Sequence, residues 1–285
     1  MIDVTYIFSV NYSGSHLLAH LLGAHAKCAS IGELRNFHKF TSPGKDRSTA
    51  SDFSRNPIFQ GLGDVPQSEW YELIYPRVIA EYPEVTMLID NSKKVEWARR
   101  FAADPRIRSH YVHLIRDPRA LLRRWLNDYD TPHKRRRQRR TLVLRAPSNL
   151  GVALLGRDHD VLLHKWLLAN RRITRFMEAA GQPSRVLTYH DLVTNTADEL
   201  RVLTQGLGLE FESGQLNFGA GKSFGTRKVD YVAMSERSEI RLDLRWKEDL
   251  EPEIHEIVTA NKRVLRYLQQ IGLTFCSDGL TRVTA

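Results

Sequence analysis

The chain has 285 residues, enough for two domains or one large α/β domain with a substantial core. Hydrophobic residues at 42% and charged residues at 26% exclude a disordered or fibrous chain. The formal net charge of +9 points to an anionic partner without naming it. That excess is uneven: Lys134-Arg135-Arg136-Arg137-Gln138-Arg139-Arg140 holds six basic residues in seven positions, and without it the chain carries only +3.

Two cysteines, Cys28 and Cys276, cannot build a disulfide framework or a four-cysteine metal site, and two reduced thiols are a simpler reading than one bridge. No stretch approaches the ~18 uninterrupted apolar residues of a membrane span. Met1-Ile2-Asp3-Val4 enters apparent structure without a basic leader or cleavage site, so a cytoplasmic protein is expected. No repeat with a solenoid period is present.

In chain order, residues 4–10 are apolar and β-branched, and Ser13-Gly14-Ser15 breaks the run. A helix opens at Ser15 with Leu17, Leu18, Leu21 and Leu22 on one face. Residues 86–90 form a short buried-strand pattern ending in an acid, and Trp97, Ala98 and Phe101 fit a helix after Lys94. Residues 111–115 are another strand pattern, ending at Arg116-Asp117-Pro118. Pro118 then stands in the first turn of a helix carrying Leu121, Leu122 and Trp125, where its missing N–H costs little. Residues 127–160, which contain the basic run, read as an insertion or lid, and the run itself as a solvated loop. Amphipathic helices are expected over 162–177, 192–207 and 254–271, with a strand at 185–189 and a glycine-bearing loop at 217–229. Strands alternating with helices imply one α/β domain over 1–285 with a central parallel sheet.

Three constellations carry chemistry. Asn11-Tyr12-Ser13-Gly14-Ser15-His16 joins a strand to a helix, and a glycine there lets successive N–H groups converge on a phosphate or sulfate oxygen; a plain serine cap is the alternative. Arg116 stands where open sheets bind ligands, and a planar guanidinium suits a phosphate, whereas Asp117 reads as fixing the turn. Lys93, closing Asp90-Asn91-Ser92-Lys93, is placed to meet an oxygen that gains charge in group transfer, or else to be a solvated lysine. Gly221-Lys222-Ser223 imitates the end of a Walker loop, but position 216 is Leu216 and no strand pattern precedes it. Lys222 is kept as an anion contact only.

In this order and spacing, these elements resemble the sulfotransferases that use 3′-phosphoadenosine 5′-phosphosulfate, in the bacterial, carbohydrate- and tyrosine-modifying branch. Gly32-Glu33 resembles that family's Gly-Glu pair, Tyr189-His190-Asp191-Leu192-Val193 its Tyr-Glu-Asp-Leu strand end, and Leu207-Gly208-Leu209 and Leu242-Asp243-Leu244-Arg245-Trp246 its later landmarks. The likeness spans residues 4 to about 270. It implies an α/β fold akin to nucleotide kinases and sulfuryl transfer to a hydroxyl or amine, with no metal. It also implies Glu33 as base and Lys93 as stabiliser of the bridging oxygen. Tyr12, Ser13, Gly14, Ser15, His16, Leu17, Arg116, Arg124, Lys222 and Arg227 are then expected to hold the nucleotide.

Two positions depart from the family pattern. Tyr12 stands where Arg or Lys is usual, and Arg124 stands where a serine is usual. Other readings are an impaired sulfotransferase-like binder of nucleotide or polyanion, and a nucleotide-dependent kinase, which lacks its Walker lysine. His38 and His110 are reserve bases. The acceptor is expected to be a small-molecule, carbohydrate or peptide hydroxyl, anionic if the basic run faces it; nucleic acid is disfavoured because aromatics are absent from that run.

Overall fold

The computed structural model describes residues 1–41, 53, 56–145, 147–217, 219, 221–225 and 239–283. Five strands form one parallel sheet: β1 (Ile2–Phe8), β2 (Cys28–Gly32), β3 (Met87–Lys93), β4 (Ile107–Ile115) and β5 (Ser184–Thr188). Their order across the sheet is β2-β3-β1-β4-β5. The chain leaves the central β1 toward one edge and returns to fill the other side. Such a reversal opens a crevice at the carboxyl ends of the strands, where ligands of open α/β sheets bind. Register aligns those ends, with Phe8 opposite Lys93 on one side and His113 on the other.

Both faces of the sheet are covered, which is why the strands read as continuous apolar runs. Val4, Tyr6 and Phe8 point into a cluster with Trp70, Tyr71, Trp97 and Phe101. Ile7 points the other way, against Leu18, Leu21 and Leu22 of α1 (Ser15–Gly23). A third cluster joins Leu121, Leu122 and Trp125 to Leu162, Trp166 and Val264. Fully burying one such aromatic or leucine is worth roughly 1.5–3 kcal/mol, so these clusters hold the strand ends in place.

Several elements differ from the sequence expectation. β2 was hidden because Cys-Ala-Ser-Ile-Gly has little strand propensity and is buried at every position. Residues 221–225 cover its edge: Ser30 N donates to Lys222 O at 2.8 Å and Phe224 N to Ser30 O at 2.7 Å. Helix α2 (Trp70–Glu81) carries Pro76 inside it, which masked the spacing of Trp70, Tyr71, Ile74 and Val78 on its buried side. The expected helices at 192–207 and 254–271 are each two helices, divided at Asn195 and Asn261. Asn261 Oδ1 accepts from Arg263 N and Val264 N, so it begins a new helix instead of continuing the old one.

Past α3 (Pro118–Asp128), the basic run is helical and not a loop. It lies in α4 (Pro132–Arg145), followed by α5 (Leu150–Leu155) and the long α6 (Asp158–Ala180). Leu142, Ala153 and Val161 form a small core joining these three helices. The guanidinium of Arg139 supplies the missing local reason: it donates to Ala153 O, Gly156 O and Asp158, tying α4 to the end of α5 and the start of α6. Helix α7 (Lys262–Gln270) and a hairpin of β6 (Leu273–Phe275) and β7 (Leu280–Arg282) complete the described chain.

Candidate active site

The turn between β1 and α1 is built for close approach. Gly14 has φ 93°, and a Cβ there would lie 2.6 Å from the Tyr189 ring. Only glycine fits that conformation against that neighbour. No side chain caps α1 and its first turn holds no acid, so the turn presents its leading N–H groups to any anion above it. Ser13 Oγ is buried without a hydrogen-bond partner among the described residues. An orphaned buried hydroxyl beside a helix N-terminus fits a phosphate oxygen. The Leu17 side chain packs against the core, which leaves its backbone N–H at the turn.

Beside this turn, three ionisable side chains from separate elements meet. Glu33 follows β2, Lys93 ends β3, and His16 lies in the first turn of α1. His16 Nε2 donates to Glu33 Oε1 at 3.0 Å, Lys93 Nζ donates to the same oxygen, and Lys93 Nζ lies 3.4 Å from His16 Nε2. Asn36 Nδ2 donates to the other oxygen of Glu33 at 2.5 Å. Burial pushes the Glu33 carboxyl up, but the His16 hydrogen bond and the Lys93 charge outweigh it and hold the group well below its ordinary range.

The Lys93 strand end is itself anchored. Asp90, fully buried, accepts from Tyr71 Oη at 2.7 Å, Trp97 Nε1 at 2.8 Å and Ser92 N at 2.7 Å. Burial raises its carboxyl despite these bonds. Ser92 Oγ accepts from Arg35 N at 3.0 Å, linking the Lys93 strand to the Glu33 loop. Lys93 has φ 66° and Tyr12 φ 71°, the non-glycine residues with positive φ among those described. Such conformations cost on the order of 1–3 kcal/mol and cluster at functional sites. Both fall here.

On the other side of the turn, Arg116 is sandwiched and tied. It donates to Tyr12 O at 2.8 Å and to Asp243 Oδ2 at 2.9 Å, and its guanidinium stacks 4.3 Å from the Tyr189 ring centroid. Trp166 Nε1 donates to Arg116 O at 3.0 Å and fixes the backbone beneath. Arg124 lies 4.8 Å over the Tyr12 ring and pairs with Asp128 at 3.3 Å. Asp243 is held well below the ordinary carboxylate range, first by its hydrogen bond from Arg245 and then by Arg116.

The structure therefore gathers Tyr12, Ser13, Gly14, Ser15, His16, Leu17, Glu33, Lys93, Arg116 and Arg124 around one turn. Lys222 does not join them. Its backbone pairs with Ser30, and its Nζ donates to His25 O at 3.1 Å, past the far end of α1 from the turn. Of the glycines beside it, Gly221 lies tight against the end of α1 and Gly225 against Ile31 O of β2. Arg227 lies outside the described residues. His110 is also removed from the site: it faces Asp3 at 2.9 Å, near the opposite end of β1. His38 packs 5.2 Å from Trp70. Asp117 has the structural role expected of it, capping α3 through Arg119 N at 2.7 Å and holding the buried Arg119 guanidinium. Sequence reasoning missed Asn36, the Tyr189 contacts and Asp243; the last two lay in recognised landmarks, but their roles depend on contacts across the fold.

A five-stranded parallel sheet with helices on both faces, a glycine turn after its central strand, and a lysine and an arginine at the neighbouring strand ends define an open α/β fold with its candidate site at the carboxyl ends of the strands. The comparison with solved structures narrows it: the chain has the sulfotransferase fold. It superposes on a "Sulfotransferase Domain from the Curacin Biosynthetic Pathway" with TM-score 0.55 and 16% identity, covering 95% of this chain and 97% of that one. It matches a "Sulfotransferase Domain from the Synechococcus PCC 7002 Olefin Synthase" with TM-score 0.56 and 15% identity, covering 96% of each. No family model matches the sequence, and no curated protein matches it. Among the described residues no helix is long and apolar enough to cross a membrane, and no group of three or more His, Cys, Asp or Glu is placed to hold a metal.

Proposed function

We propose that the chain is a sulfotransferase that moves a sulfuryl group from 3′-phosphoadenosine 5′-phosphosulfate to an acceptor hydroxyl. The observation that carries this reading is the meeting of Glu33, His16 and Lys93 beside the Ser13–Gly14 turn. The turn and Ser13 Oγ hold the 5′-phosphate, while Arg116 and Arg124 answer to the 3′-phosphate. As the acceptor oxygen forms its bond to sulfur, its proton passes to Glu33. The bond from sulfur to the phosphate oxygen breaks, and adenosine 3′,5′-bisphosphate leaves with the electron pair. Lys93 sits where it can shift from Glu33 toward that oxygen as its charge grows, and doing so frees Glu33 to accept a proton.

This exchange answers the main chemical difficulty of the site. A carboxylate locked to a lysine is ionised but weakly basic. A donor that draws Lys93 away raises the basicity of Glu33 when the acceptor needs it. His16 supplies a further hydrogen-bond donor near the position where Tyr12 replaces the expected cation.

Transfer of labelled sulfate from the nucleotide to a panel of hydroxyl and amine acceptors tests the reading directly. Glu33→Gln should leave affinity for adenosine 3′,5′-bisphosphate nearly intact and lower turnover at least ~10²-fold. Turnover unchanged in that variant removes Glu33 from the base role. The Lys93–Glu33 lock and Tyr12 together favour one second reading, a binder that holds the nucleotide without transfer. Tight binding of adenosine 3′,5′-bisphosphate with no labelled product on any acceptor would establish it.

A further inference from the structure

We propose that the hairpin of α4 and α5 is a membrane-surface anchor that seats this protein on bilayers bearing anionic lipid. Arg136, Arg137 and Arg140 are exposed and form no ion pair among the described residues. Nearby carboxylates are already engaged: Asp130 with Lys134 at 2.8 Å, Asp158 with Arg139 at 2.7 Å and Arg135 at 3.3 Å, and Glu253 with Arg157 at 2.6 Å. The three arginines are therefore uncompensated. Positions 136 and 140 are four apart and 137 and 140 three apart, so like charges are neighbours on one helical face and weaken the helix. Folding gains nothing from that face, which points to an external anion.

Leucines accompany the charge. Leu144 continues the Arg140 face one turn on and is 73% exposed. In α5, Leu154 and Leu155 are 70% and 88% exposed. Single exposed leucines are ordinary, but Leu144 on the arginine face and two more on the helix that Arg139 ties to it make three on one short hairpin. Across an open groove from Leu155 lie Lys262 and Arg263, both exposed, which add cations to the same region. Leucines that stand this far out of the surface need a partner that closes around them. A bilayer does so without a matching pocket, its headgroup phosphates meeting the arginines while the leucines enter the acyl boundary. The contact is peripheral, since no described helix can span a bilayer.

Co-sedimentation of the full chain with vesicles tests this independently of any transfer activity. The protein should bind vesicles of phosphatidylcholine with phosphatidylglycerol at low salt, bind phosphatidylcholine alone far more weakly, and be released as salt rises. Replacing Arg136, Arg137 and Arg140 together by Gln should lower partition about 10²-fold, and L154S with L155S at least ~10-fold. Equal binding to both vesicle types overturns the proposal. So does leucine-independent binding, which would make the face a polyanion or acidic-protein site. A dimer in ultracentrifugation that the two serine substitutions dissociate would assign the leucines to a second copy instead. If the serine variant folds poorly, L154A with L155A removes the same apolar contacts while keeping a strong helix former, and should lower partition in the same direction.

Discussion

Two cationic regions of this molecule use arginine and lysine in opposite ways. Around the Ser13–Gly14 turn, Lys93 is paired with Glu33, Arg116 with Asp243 and Arg124 with Asp128. On α4, Arg136, Arg137 and Arg140 have no such partner among the described residues. A carboxylate beside a cation cancels long-range field but fixes the side chain where chemistry needs it. An unpaired surface arginine does the reverse, adding field and little geometry. Three of the six cations of the basic run thus stand unpaired on one surface, while the proposed chemistry rests on a region of nearly balanced charge. Counting charges locates the first and overlooks the second.

The largest expected effect breaks the site's geometry without touching its charge. Gly14→Ala drives a Cβ into Tyr189 and demands a left-handed alanine, so affinity for adenosine 3′,5′-bisphosphate should fall by ~10²-fold or more in calorimetry. Arg116→Lys keeps the charge but loses the fork that reaches Tyr12 O and Asp243 together; an affinity loss of about tenfold is expected. If lysine binds as well as arginine, charge and not placement governs that contact.

Within the basic helix itself the comparison sharpens. Arg139→Ala removes the bonds to Ala153 O, Gly156 O and Asp158 and should cost about 1–2 kcal/mol in denaturant unfolding. Arg137→Ala, two residues earlier and on another face of the helix, should stay within about 0.5 kcal/mol of the parent. Two arginines of one run, separated by Gln138 alone, would then be shown to serve different ends.

The smallest effect is a pH dependence. The folded Glu33 carboxyl lies below its ordinary value of 4.5, so the stability from its Lys93 and His16 contacts is present above about pH 4.5 and lost as pH falls through the lowered value. The difference in melting temperature between the parent and Glu33→Gln should therefore shrink as pH drops below about 4.5. A constant difference down to strongly acid pH would mean that Glu33 is not held in this pair.

Much of the fold was legible because its signals are local. Strands β1, β3, β4 and β5 announce themselves as short apolar-rich runs with polar ends, since a sheet covered on both faces buries side chains at successive positions. The turn at Gly14 and the Pro118 helix start are likewise written in adjacent residues. The hidden β2 lacked that pattern because neighbouring segments bury it, and α4 was read as a loop because charge repulsion was visible and the Arg139 contacts were not. Lys222 was misplaced for a similar reason: its glycine neighbours look the same whether they cradle a phosphate or close a sheet edge.

The sequence alone determined which residues end strands and where the glycine turn opens the first helix, because those depend on dihedral preferences and short-range hydrogen bonds. Only the tertiary structure decided which of them act together. Lys93 meets Glu33 across 60 residues, His16 meets Lys93 across 77, and Arg116 meets Asp243 across 127. Strand order creates those meetings by placing β3 and β4 on either side of β1, and the ionic state of each group follows from the neighbour it is given.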